Sequence, residues 1–122
     1  LRRFESEPAS WHRTSLGELK PDAYTSYVTS EWEVYHWIEV DRSTESLPTL
    51  KRKLLGYLDV VDIGDLGPEG VQPDVLVTVN STRRTPAVGR VFNEVCRLVI
   101  ADVRQIKLVL VLVTQVAVQV VV

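Results

Sequence analysis

The stretch EVYHWIEVDRSTESLPTLKRKLLGYLDVV, residues 33–61, changes its hydrophobic period half-way along. Its first part, EVYHWIEVDR, is rich in aromatic and β-branched residues and reads as a strand. Ser46-Leu47-Pro48 then reads as a helix start, a serine cap with proline in the first turn. Leu47, Leu50, Leu54, Leu58 and Val61 follow at helical spacing, so this stripe is expected to pack on a sheet. Two acids, Glu39 and Asp41, fall inside the strand. The basic run Lys51-Arg52-Lys53 falls on the helix.

Upstream, KPDAYTSYVT reads as a strand, with Pro21 near its start where a missing N–H costs least. The short TSEW link suits a hairpin. The more N-terminal FESEPASWHRTSLGEL is polar, with a turn-like Ser15 to Gly17 and room for one short strand around Trp11 to Thr14. Downstream, Gly64, Gly67, Pro68 and Gly70 mark a loop. PDVLVTVN is a continuous apolar run, read as a central parallel strand. STRRTPAVGRVFNEVCRLVIADV supplies a second amphipathic helix, with Val88, Val91, Phe92, Val95 and Val99 on its apolar face. IKLVLVLVT is a further buried strand, and the valine-rich end reads as one or two strands. The fold class is therefore α/β (α+β), a mixed sheet made of a hairpin joined to a βαβ crossover with helices on it.

The chain has 122 residues and a formal net charge of -2, which suits one domain without a global positive field. Basic residues are nonetheless grouped, at Arg2-Arg3, Lys51 to Lys53 and Arg83-Arg84. The one cysteine, Cys96, cannot form an intramolecular disulfide and reads as a small buried hydrophobe, which fits a reducing, cytoplasmic setting. The apolar run from Leu108 to Val122 is too short to span a bilayer and is interrupted by Gln115 and Gln119, so no membrane association is expected. No Ser-His-Asp set, phosphate-binding glycine loop or zinc pattern is present.

Strand parity puts Tyr35, Trp37, Glu39 and Asp41 on one face, and Val34, His36, Ile38 and Val40 on the other. A hairpin turn at Ser30-Glu31 pairs Thr29 with Trp32. That register sets Asp22 opposite Glu39, with Cβ atoms about 5 Å apart, and Lys20 opposite Asp41. Two opposed carboxylates repel and lose hydration, costs that a hard cation such as Mg²⁺ offsets. Alternatively, Asp22 and Asp41 are part-exposed strand-end residues neutralised by Lys20 and Arg42. His36 is expected to point inward with Ile38, and His12 to lie on the surface. Thr44 and Glu45 are placed to orient the acids, or Thr44 or Ser46 to cap the helix.

LKPDAY, WIEVDRSTESLPTLKRKLLGYL and PDVLVTVNSTRR together resemble the replication-relaxation family of actinobacterial and Firmicute plasmids and phages. Trp11 in EPASWHR, before the KPDA box, fits the same family. The resemblance covers about residues 5 to 92 and implies a winged-helix DNA-binding domain followed by a PD-(D/E)xK nuclease-like domain. Residues 1–122 would be the second part only, a fragment with a restriction-endonuclease-like core. It further implies an Mg²⁺ (or Mn²⁺) site, with Pro21-Asp22 at the PD position and Glu39 at the (D/E) position. In that superfamily the lysine helps polarise the attacking water and stabilises charge at the phosphate. Here Asp41 stands in the lysine's place, and an anion cannot do that work.

At 100° per residue, Lys53 flanks the Leu47/Leu50/Leu54 stripe and is expected to reach back to the sheet as the substitute. The resulting assignments are Asp22, Glu39 and Lys53 as catalytic residues, and Asp22, Glu39 and Asp41 as metal ligands. Lys51, Arg83 and Arg84 are assigned to DNA contacts, the last two beside a helix N-terminus. Two functions remain open at this point. One is Mg²⁺-dependent nicking or cleavage of plasmid or phage DNA. The other is an inactive nuclease-like domain that binds DNA or replication proteins. The sequence leaves room for a homo-oligomer in either case.

Overall fold

A computed structural model describes residues 2–42, 45–79, 83–101, 108–113 and 118–121, with the side chains of 96, 98–101, 108–113 and 118–121 outside that description. The chain is a mixed α and β structure of eight strands and two helices among these residues. In order they are β1 (Arg3–Ser6), β2 (His12–Thr14), β3 (Gly17–Leu19), β4 (Ala23–Val28), β5 (Glu33–Asp41), α1 (Leu47–Asp62), β6 (Asp74–Val79), α2 (Thr85–Ala101), β7 (Leu108–Val113) and β8 (Val118–Val121). Six strands form one sheet in the order β1-β4-β5-β6-β7-β8, while β2 and β3 make a separate small hairpin.

The expected hairpin is β4–β5. Thr29 N–H donates to Trp32 O at 2.8 Å across the turn, and the antiparallel register runs from Val28↔Glu33 to Ala23↔Ile38. This is the register read from the sequence. The expected crossover is β5-α1-β6, with β6 parallel both to β5 and to β7. β6 is thus central, as its unbroken apolar run requires.

Helix α1 starts where the serine cap predicts. The Ser46 side chain accepts from Thr49 N–H at 3.2 Å, and Pro48 lies in the first turn, where its missing N–H breaks no bond. Leu50, Leu54, Tyr57, Val60 and Val61 are its buried residues. The first four of them join Trp37, Val75, Val77 and Val79 of the sheet and Val88, Phe92 and Val95 of α2 in one core. Both helices therefore cover one face of the sheet, the face of odd-numbered residues in β5 and β6. Val99 and Cys96, also read as apolar helix positions, have side chains outside the described residues, as does all of Thr44.

Three expectations are corrected. The polar N-terminal segment holds three strands rather than one, because β1 adds to the edge of β4 and β2–β3 folds over the core. His36 and Ile38 lie on the face opposite the helices and are half-buried, whereas the acid-bearing face points inward. His12 is half-buried rather than on the surface. Its Nε2 lies 2.8 Å from Leu66 O and its ring centroid 6.0 Å from that of Trp37, so it pins the small hairpin to the loop after α1.

Candidate functional site

Parity brings Glu39 and Asp41 to the helix-covered side of β5, where they are 3% and 0% exposed. The part-exposed strand-end alternative therefore fails for Asp41. Asp22 sits one step beyond the last β4–β5 pair, and its Oδ2 accepts the Val40 N–H at 2.7 Å. Arg42 Nη1 approaches Asp22 Oδ1 at 3.6 Å from an exposed position. Asp22 is a neighbour of Glu39, close enough for its charge to act on the Glu39 carboxyl.

Glu39 is perturbed by its surroundings. Burial pushes its carboxyl up to about 7, with the Asp22 charge adding, while the Tyr57 hydroxyl and the Lys53 ammonium oppose the rise. Tyr57, fully buried on α1, donates its O–H to Glu39 Oε1. Burial and the Glu39 charge hold the Tyr57 hydroxyl well above its usual range, so it remains a donor.

Lys53 does reach the acid. Its Nζ lies 3.9 Å from Glu39 Oε2 and 2.8 Å from Glu45 Oε2. Burial alone would lower the Lys53 ammonium, but the hydrogen bond to Glu45 and the charges of Glu39 and Glu45 raise it. Lys53 is therefore a fixed cation. Helix α1 supplies both contacts to Glu39, because Lys53 and Tyr57 are one helical turn apart. A cavity of about 280 Å³ lies at the group, lined by Glu39, Lys53 and Tyr57 together with Glu18, Leu19, Lys20 and Gly56.

Asp41 is placed differently from its expected role as a third metal carboxylate. Arg84 Nε donates to Asp41 Oδ2 at 2.8 Å, and Arg84 Nη2 donates to Glu45 O at 2.6 Å. Asp41 is thus the anchor of an arginine clamp. The clamp ties the end of β5 and the approach to α1 to the start of α2. Among the described residues no three histidine, cysteine or acidic side chains group closely enough to hold a metal ion. Lys20, expected opposite Asp41, is beyond the paired part of β4, and its Nζ lies 4.7 Å from the centroid of the Trp11 ring.

The residues assigned to DNA contacts separate. Arg84 is committed to Asp41, and Lys51 pairs with Glu94 of α2 at 3.3 Å. Arg83 is exposed just before α2. Sequence reasoning missed Tyr57 and the arginine clamp. Tyr57 was open to discovery, since it falls on the inward stripe one turn beyond Lys53. The clamp had no local signal, because its partners are 43 positions apart.

The family model for replication-relaxation proteins matches residues 1–75, more than half of the chain. The chain belongs to the replication-relaxation family. The matched span contains Asp22, Glu39 and Lys53 and ends inside β6. Membership ties the chain to the replication and relaxation of mobile elements. No curated protein and no solved structure matches it. Among the described residues no helix is long and apolar enough to cross a membrane.

Proposed function

We propose that this replication-relaxation chain carries a PD-(D/E)xK-type site for divalent-cation-dependent nicking or cleavage of plasmid or phage DNA. The observation that carries the reading is the approach of Lys53 to Glu39 from helix α1, at 3.9 Å, with Asp22 beside the same acid. A cation absent from its usual place two residues after the acid is present at the acid by another route. The order of hairpin, helix and parallel strand supports a restriction-endonuclease-like core.

The donor set fits Mg²⁺ or Mn²⁺. Two adjacent carboxylates offer hard oxygens, and Mg²⁺ commonly takes one or two carboxylates and leaves the rest of its shell to water and phosphate. Asp22 and Glu39 would hold the ion, which supplies Lewis-acid polarisation of the phosphodiester. The chain's own residues do the remainder. Lys53, held by Glu45, places a permanent positive charge beside the position of the phosphate oxygens. Tyr57 fixes the rotamer of Glu39, and the Asp41–Arg84 clamp fixes the segment that carries Glu45.

The second reading, an inactive nuclease-like domain that binds DNA or a replication partner, draws on the same contacts. Both acids already have protein partners, Val40 N–H for Asp22 and the Tyr57 hydroxyl for Glu39. Supercoiled-plasmid nicking with Mg²⁺ or Mn²⁺ decides between the two. Native protein is expected to nick, with Asp22→Asn, Glu39→Gln and Lys53→Met each slower by a factor of about a hundred or more. Equal background cleavage in all four proteins would leave the inactive reading standing.

A further inference from the structure

Trp11 is 37% exposed. Its indole Nε1 donates to Glu7 Oε1 at 3.2 Å, which fixes the ring in its plane, and the Lys20 ammonium lies over the ring. Lys20 also forms part of the lining of the cavity that contains Glu39 and Lys53. An aromatic face, a cation and a cavity with Glu39 and Lys53 in its lining thus adjoin in that order. The proposed nicking site assigns no role to the first two.

We infer that Trp11 and Lys20 form a platform for an unpaired DNA base at the entrance to the Glu39 cavity, with the base stacked on the indole and Lys20 on the adjoining phosphate. This rests on the DNA-processing reading above and specifies the form of DNA it takes. Aromatic faces accept any base once it is out of the duplex, and need little net charge to do so. Duplex binding instead rests on many free phosphate contacts. Here Arg2, Arg3, Arg42, Lys51, Lys53 and Arg84 are all paired with acids. With these cations engaged, the exposed indole beside Lys20 offers a stacking contact that needs no phosphate-tracking groove.

The test is fluorescence anisotropy of a labelled oligothymidylate with the full chain in Ca²⁺ buffer, against a duplex of equal length. The expected result is binding of the single strand in preference to the duplex. Trp11→Ala should weaken it about tenfold or more, Trp11→Phe should retain most of it, and Trp32→Ala should leave it unchanged. Lys20→Met should weaken binding and flatten its salt dependence. Trp32, at the hairpin tip and 65% exposed, is the control for adventitious stacking. Unchanged affinity in Trp11→Ala, or an equal loss in Trp32→Ala, overturns the platform. So does duplex binding without single-strand binding, which leaves the DNA-processing reading intact. Failure to bind either form removes both.

Discussion

Glu39 is a buried acid kept at an energetic cost, and that cost has a pH signature. Its folded-state carboxyl is raised to about 7 from an ordinary 4.5. The folded protein therefore prefers the protonated acid. This contribution to stability is complete below about pH 4.5 and is lost as pH rises through about 7. In metal-free protein Glu39→Gln should be more stable than native by about 3 kcal/mol near pH 8 and no more stable near pH 4.5, by urea denaturation at the two values. Arg84 carries the opposite expectation. Asp41 is wholly buried, so Arg84→Met leaves an uncompensated charge and should cost about 3–5 kcal/mol. Truncating exposed Arg42 should cost less than about 1 kcal/mol. At this scale the sequence was informative about Asp22, Glu39 and Lys53, because strand parity and helical spacing place side chains without knowledge of the rest. It set Lys20 opposite Asp41, with Arg42 as a further neutralising charge, where the structure places Arg84, since a buried arginine and an exposed one look alike until two distant segments are brought together.

At the scale of elements, β5, α1 and β6 were legible because each has a period or an unbroken apolar run longer than its ambiguities. Of the N-terminal strands only β2 was read, around Trp11 to Thr14, while its partner β3 and the edge strand β1 were not. They are three or four residues long and largely polar, so their order comes from what they are docked on. Two side chains outside the regular elements do much of that docking. The Asp65 carboxylate accepts from Ser15 N–H at 2.7 Å between β2 and β3, and Glu69 accepts from Arg2 Nε at 3.1 Å beside β1 as well as from Tyr24 O–H at 2.7 Å. The hydrogen bond from Tyr24 holds the Glu69 carboxyl below its usual range, against the effect of burial. The loop that carries both acids turns tightly at Gly67, where an added Cβ would meet Pro73 Cγ at 2.6 Å and Val71 O at 2.8 Å. Gly67→Ala should lower the thermal midpoint more than Ser46→Ala, whose loss of a cap bond is worth about 1 kcal/mol. Differential scanning calorimetry of the two variants checks the order.

For the whole molecule, one core on one side of the sheet gives a gradient of stability. Amides of β5 and β6, flanked by paired strands and covered by both helices, should exchange only through global unfolding. Those of β2 and β3 should exchange through local opening, a difference that native-state hydrogen exchange resolves. The same gradient separates the two acids of the site. Asp22 accepts a backbone N–H of the neighbouring strand just past the last paired residues, so it fastens the open end of the hairpin whether or not any chemistry occurs. Glu39 meets only side chains through its carboxylate and carries a burial cost. If the proposed cleavage were lost in a related chain, that chain would gain by discarding Glu39 and lose by discarding Asp22. An acid at the first position is therefore uninformative about activity in related chains, and the second position is the one to read.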